Sequence, residues 1–226
     1  MDASVVVSGG TGGLGSAVTA TLLEAGWQVV VPYVEERELA RVKEHPRLTL
    51  IEADLFDPDA AAAVVARASE PLGALVNLVG GFASGGRVHE TPIEDFERQF
   101  RLNLRPAYLL CHAALPRMLA AGGGSIVCVS TRAALRPFSG AAGYIASKAA
   151  VLAFVDALAA EYTNDGVRVN AILPSVIDTP GNRADQPDAD HSRWVKPEQI
   201  AEVIRFLCSD ESVAIGGAHI PVYGRA

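Results

Sequence analysis

The sequence predicts an α/β chain built as a doubly wound parallel sheet of about seven strands, with helices on both faces. Three observations carry that reading. Short runs of Val, Ile and Leu alternate with longer helical segments from one end of the chain to the other. The apolar runs are near-continuous rather than alternating, as strands buried on both faces require. The first of them runs directly into a glycine cluster that opens a helix.

Taken in order, Ser4–Val7 is the first strand, and the helix Leu14–Ala25 follows its glycines. The valine run of Gln28–Tyr33 makes the second strand, the acid-rich stretch Glu35–Glu44 a helix, and Leu48–Glu52 the third strand. A helix over Pro58–Ala68 leads to the fourth strand, Ala74–Leu78, and Pro92–Ala120 reads as one long helix. The fifth strand is Ser125–Ser130. It is followed by the helix Gly143–Thr163 and the sixth strand, Arg168–Leu173. The polar interval Thr179–Lys196 is expected to be a surface loop with about one helical turn. The helix Pro197–Cys208 and the strand Ala218–Val222 complete the alternation, which implies right-handed crossovers.

Composition sets the outer bounds. With 226 residues, the chain is expected to form one domain spanning 1–226. Half of its residues are hydrophobic and 20% are charged, enough apolar surface for a core and against disorder. A net charge of −7 offers no basic field for nucleic acid or an anionic membrane. Cys111, Cys128 and Cys208 are an odd number in apolar contexts, read as reduced core residues. The N-terminus lacks a basic region before an apolar run, and no segment approaches eighteen uncharged apolar residues, so a soluble cytoplasmic protein is expected. The five histidines are scattered without HxH or HExxH, and no serine is flanked as in G-x-S-x-G. No metal site is therefore expected.

Ser8-Gly9-Gly10-Thr11-Gly12-Gly13-Leu14-Gly15 sits between the first strand and the first helix. Glycines let a backbone approach a pyrophosphate, and the helix N-terminus offers it free amides, so the element reads as a Rossmann-type dinucleotide loop. No Gly-Lys-Ser/Thr follows, which excludes a P-loop. Farther on, Tyr144 and Lys148 stand at i and i+4 on one helix face. A phenol of ordinary pKa is a poor acid or base at neutral pH, and a neighbouring ammonium is expected to lower that pKa. The helix around them is apolar nearly all round, which draws Lys148 inward.

Together these motifs resemble the short-chain dehydrogenase/reductase family over essentially the whole chain. Ser8-Gly9-x-x-x-Gly13-x-Gly15 is similar to that family's TGxxxGxG loop, Asp54-Leu55 to its adenine-contacting pair, and Asn77-Leu78-Val79-Gly80 to its NNAG segment. Asn103 falls at the family's helix asparagine, Tyr144-x-x-x-Lys148 at its catalytic pair, and Pro174-Ser175 at its Pro-Gly turn. The resemblance implies cofactor contacts at Ser8, Gly9, Thr11, Gly13, Leu14, Gly15, Tyr33, Asp54, Leu55, Asn77, Gly80, Tyr144, Lys148, Pro174, Ile177 and Thr179. The family's serine lies thirteen residues before the tyrosine, which is Thr131 here, with Ser130 the second candidate. The implied chemistry is hydride transfer between a nicotinamide and a carbonyl or alcohol. Thr131 and Tyr144 would hold the oxygen, Lys148 would tune the phenol, and Asn103 would anchor a water. The second half is also similar to dihydropteridine reductase and its bacterial relatives. Pterin reduction is thus the alternative activity, and a non-catalytic nucleotide sensor a third reading.

The expected substrate lining is Gly81, Phe82, Arg132, Leu135, Phe138, Ser175, Ile177 and Trp194, with Arg132 as its candidate for an anion. The substrate is expected to be a small carbonyl or alcohol. Tyr33 ends the second strand where an NAD-selecting acid would stand, Gly12 and Val34 fill the places of an NADP-selecting base, and Arg37 is the nearest cation. NADP(H) is favoured over NAD(H) on that basis. The outer side of the helix Gly143–Thr163 is apolar and is expected to meet a partner copy; the family resemblance implies that it does so in a helix bundle with Leu102–Ala120, as a homodimer or homotetramer.

Overall fold

The computed structural model describes residues 3–225. Seven strands form one parallel sheet in the order β3-β2-β1-β4-β5-β6-β7. They are β1 Ser4–Ser8, β2 Gln28–Tyr33, β3 Leu48–Glu52, β4 Leu72–Asn77, β5 Gly124–Val129, β6 Val167–Pro174 and β7 His219–Val222. Every strand is within two residues of its expected position. The helices are α1 Gly15–Glu24, α2 Pro58–Ala66, α3 Ile93–Asn103, α4 Arg105–Ala120, α5 Ala142–Tyr162, α6 Pro180–Asp185 and α7 Pro197–Cys208.

The valine runs are continuous because both faces of the sheet are covered. On β1, Val5 and Val7 pack with α1 and α7 on one side, and Val6 packs with α2, α4 and α5 on the other. All three are fully buried. The strand order reverses between β1 and β4, and in such sheets the ligand crevice lies at the strands' carboxyl ends, at the reversal.

Two helical expectations are corrected. Glu35–Glu44 is only a 3-10 segment over Glu36–Arg41, with no buried residue, so no tertiary packing supports a longer helix. The helix expected over 92–120 is two helices, α3 and α4, broken at Leu104 (φ −115°). Pro106 supplies the reason: it lacks an N–H and its ring crowds the preceding turn, so it is accommodated in the first turn of a new helix. The 179–196 interval holds α6 and a 3-10 turn at His191–Arg193.

The expectation about membrane-length segments is also refined. Helix α5 and the turn after it are long and apolar enough to cross a bilayer. The helix is instead docked on the sheet: Val151, Leu152, Val155, Leu158 and Ala159 are buried, while Ala153, Asp156 and Ala157 face outward.

Candidate active site

The site is assembled where β1, β4, β5 and β6 end. The glycine loop closes through Gly12 N–H donating to Gly9 O (3.0 Å) and Ser16 N–H to Gly12 O (2.9 Å). A Cβ on Gly15 would run into the Gly9 carbonyl, so the loop can fold this tightly only with glycine there. At the start of α1 no side chain caps the amides, and no acid stands in the first turn. Uncapped donors and a positive helix end suit a diphosphate, so the residues present fit a dinucleotide. Thr179, which caps α6, faces this loop: its Cγ2 lies 3.0 Å from where a Gly13 Cβ would be.

Several expected cofactor residues serve the scaffold with their side chains. The Ser8 hydroxyl donates to Val76 O (3.4 Å) and accepts from Leu78 N–H (3.2 Å), tying β1 to β4. Asn77 turns into the core, its Nδ2 facing the sulfurs of Cys111 (3.6 Å) and Cys128 (3.5 Å), with Oδ1 buried and unpartnered among the described residues. Leu55 is a core residue, and Asp54 is exposed and accepts from Phe56 N–H. Arg37 reaches into solvent, 81% exposed and paired with Glu35. The guanidinium that meets the glycine loop belongs instead to Arg41. Its Nη1 lies 3.4 Å from Thr11 O and 2.9 Å from Glu38 Oε1, while the Thr11 hydroxyl donates to Glu38 Oε2 (2.8 Å). Sequence reading missed Glu38 and Arg41 because the family's usual positions lie nearer the end of β2.

Tyr144, Lys148, Thr131, Asn103 and Gly80 do come together. Lys148 is buried, and its Nζ donates to Val129 O (3.0 Å). Burial lowers its pKa to about 8, partly opposed by the nearby Cys128 thiol. A Cβ on Gly80 would lie 2.6 Å from Asn103 Oδ1 and 2.8 Å from Lys148 Nζ, so this glycine is pressed between the two. Asn103, itself buried, accepts from Gly81 N–H (2.9 Å) and donates to Gly81 O (3.2 Å) and Ser147 Oγ (3.0 Å). Ser147 then donates to Tyr144 O (2.8 Å), which links α3 to the start of α5. Ser147 was legible only as an unexplained hydroxyl inside the Tyr-x-x-x-Lys segment.

The electrostatics of Tyr144 differ from expectation. Burial raises its phenol pKa, and the neighbouring Thr131 hydroxyl lowers it in part; Lys148 supplies no lowering. The Lys148 ammonium is engaged with the Val129 carbonyl. The two candidate hydroxyls have different surroundings: Thr131 Oγ1 accepts from Ala133 N–H (3.3 Å) and lowers the neighbouring Tyr144 phenol pKa, whereas Ser130 is buried and donates to Lys148 O (2.8 Å). Phe82 packs edge-on against Tyr144 (5.0 Å between centroids) and near Phe138 (6.4 Å). Phe82, Leu135 and Phe138 are exposed, Arg132 lies over the Tyr223 ring, and Ser175 donates to Tyr223 O (2.7 Å). Ile177 bridges to Val195, and Trp194 is buried against His191 instead of lining an open wall.

A dinucleotide cradle with acid–base groups at its mouth is the layout of a nicotinamide-dependent oxidoreductase. Comparison with known proteins gives the family. Residues 9–224 match a family model described as enoyl-(acyl carrier protein) reductase. The chain is 32% identical over 245 residues to 2-(R)-hydroxypropyl-CoM dehydrogenase of Xanthobacter autotrophicus, covering 99% of this chain and 98% of that one. It is 34% identical over 237 residues to cis-4-hydroxycyclohexanecarboxylate dehydrogenase of Sinomonas cyclohexanicum, covering 97% and 94%. A short-chain type dehydrogenase/reductase structure from Mycobacterium ulcerans superposes with a TM-score of 0.93 at 27% identity, covering 100% and 90%. The chain belongs to the short-chain dehydrogenase/reductase family. It is an NAD(P)-dependent oxidoreductase acting between alcohol and carbonyl groups.

Proposed function

We propose that the reaction is run by Tyr144 as proton donor and acceptor, with Thr131 holding the substrate oxygen and Lys148 and Asn103 supporting them. The observation that carries this reading is the gathering of Tyr144, the buried Lys148 and Asn103 around Gly80, with Asn103 tied through Ser147 to the Tyr144 carbonyl and Thr131 the neighbour that lowers the phenol's pKa. A bound nicotinamide supplies the hydride chemistry. In the reducing direction, the Tyr144 hydroxyl gives its proton to the developing alkoxide, while Thr131 donates a second hydrogen bond to that oxygen. In oxidation the same proton returns to Tyr144. Lys148, with its pKa lowered to about 8, can exchange a proton near neutral pH. Asn103 would anchor a water linking that lysine to solvent. The glycine loop, Thr11 and Thr179 would hold the pyrophosphate.

The substrate class we favour is a small secondary alcohol and its ketone, alicyclic members included, because both relatives named above are dehydrogenases of such alcohols. The exposed Phe82, Leu135 and Phe138 would meet its apolar body. The Thr131 hydroxyl supports carbonyl over pterin chemistry. For the cofactor we favour NADP(H): Tyr33 places no carboxylate at the end of β2, and the Arg41 guanidinium stands against the glycine loop. One domain, a cytoplasmic location and a homodimer or homotetramer complete the reading. Three buried unpaired cysteines support a reducing compartment. A groove lined by Phe100, Leu104, Tyr108 and Phe154 together with Arg101 and Arg105 supports burial of the α4 and α5 outer faces against a second copy.

The test is steady oxidation of NADPH and of NADH with cyclohexanone and acyclic ketones. Turnover with a preference for NADPH is expected. No turnover with any carbonyl would remove the activity, and a preference of about tenfold or more for NADH, about 1.4 kcal/mol, would remove the cofactor assignment.

A further inference from the structure

We infer that Arg132 is an anion receptor in the substrate cleft, so that the molecule turned over carries a carboxylate or sulfonate away from its reacting carbon. The inference rests on the alcohol–carbonyl reading above and narrows its substrate class.

Four arginines of this chain are half-buried: Arg117, Arg132, Arg168 and Arg205. Three are paired by the protein. Arg117 donates to Val65 O, Ala68 O and the Glu70 carboxylate. Arg168 donates to Leu207 O, Ser209 O and Ser212 Oγ. Arg205 pairs with Glu202 and Glu211. Arg132 alone has neither a carboxylate within 4.0 Å nor a side-chain hydrogen bond among the described residues. Partial desolvation of a cation that no carboxylate or hydrogen-bond acceptor among the described residues pairs is unfavourable, and a substrate anion would offset it.

Its location connects this cation to the reaction. Arg132 follows Thr131 directly, at the carboxyl end of β5. Its guanidinium carbon sits 5.2 Å from the centroid of Tyr223, the residue after β7. Tyr223 is tied through its carbonyl to Ser175, just beyond β6 (2.7 Å). The ends of β5, β6 and β7 thus form one row, with Thr131 and its neighbour Tyr144 on one side and the cation beside them. The Tyr223 ring holds the guanidinium by a cation–π contact that uses none of its N–H groups, so two of them remain to form parallel bonds to an oxyanion. The Phe82–Phe138 wall would meet the apolar body carrying both groups.

Binding of cyclohexanecarboxylate and of the neutral cyclohexanecarboxamide to the NADP⁺-loaded protein, measured by calorimetry, tests this without relying on turnover. The carboxylate is expected to bind at least about tenfold tighter than the amide. In Arg132→Gln that ratio should collapse to about one, and Arg132→Lys should keep only part of it, since an ammonium cannot make the paired contact. Tyr223→Leu should lower the ratio through loss of the cation–π contact. Equal affinity of the wild type for the two ligands, or an unchanged ratio in Arg132→Gln and Arg132→Lys, would overturn the inference. Turnover of uncharged cyclohexanol by the wild type separately tests the underlying activity.

Discussion

Gly80→Ala is the substitution whose consequence the geometry fixes best. The added methyl would stand 2.6 Å from Asn103 Oδ1 and 2.8 Å from Lys148 Nζ. Ordinary van der Waals contact begins near 3.4 Å, so something must give by about 0.8 Å. Asn103 cannot yield easily, being 2% exposed and bonded to both polar groups of Gly81 and to Ser147. The Lys148 ammonium is the end of a flexible chain and can move the ~0.6 Å needed on its side (3.4 − 2.8 Å), weakening its bond to Val129 O, whereas the Asn103 contact is relieved only by a shift of the Gly80 backbone. Overpacking of this kind costs about 1–3 kcal/mol, and in a chain of this size each kcal/mol lowers Tm by about 2–4 °C. A misplacement approaching 1 Å at reacting groups costs about 10²-fold in rate. Thermal melting and steady-state kinetics should therefore give a Tm lower by about 2–12 °C and kcat lower by about two orders of magnitude. Gly181→Ala, whose added methyl would meet nothing within 4 Å, serves as the control. Wild-type kcat in Gly80→Ala would refute the packing of Lys148 and Asn103 against this glycine.

Thr131→Ala should reduce kcat more than Ser130→Ala does. Ser130→Ala should instead cost about 0.5–1.5 kcal/mol in denaturant unfolding, the net worth of its hydrogen bond to the Lys148 carbonyl, which keeps its helical donor within α5; the reverse ranking in kcat would exchange the two assignments. Lys148 gives a pH signature in stability. Its unfolded pKa is near 10.5 and its folded pKa about 8, so between those values the unfolded chain holds more protons and this residue's contribution rises with pH. Below about pH 8 it is a penalty on the order of 3 kcal/mol. The stability of the wild type relative to Lys148→Met should therefore climb from pH 8 toward 10, and a flat difference would show that Lys148 keeps its ordinary pKa.

Much of this was legible because the sheet is covered on both faces. Continuous valine runs such as Val5–Val7 and Val29–Val31 carry that information locally, and the glycine loop needs no long-range contact to be read. The break at Leu104 was present in the sequence as Pro106 but was outweighed by helical composition on both sides. Glu38 and Arg41 were not legible, since a 3-10 segment without a buried face has no period to read, and its approach to Thr11 is tertiary. The side chains of Asn77 and Leu55 illustrate another limit. A motif can place a residue beside a ligand site without saying which way its side chain turns, and both turn into the core. The Tyr144 environment shows the same for charge: spacing put a lysine one turn away, but burial and Thr131 set the phenol.

The central claim, that Tyr144 is the proton-transferring group, is tested most directly by Tyr144→Phe. The measurement is the single-turnover rate with cyclohexanone on protein saturated with reduced cofactor, alongside the cofactor Kd. The ring remains to pack against Phe82, and only the hydroxyl that meets Thr131 is removed. The account predicts a rate lower by about 10²–10⁴-fold with cofactor affinity close to wild type. A variant retaining more than about a tenth of the wild-type rate would contradict it, because loss of a general acid cannot be that mild.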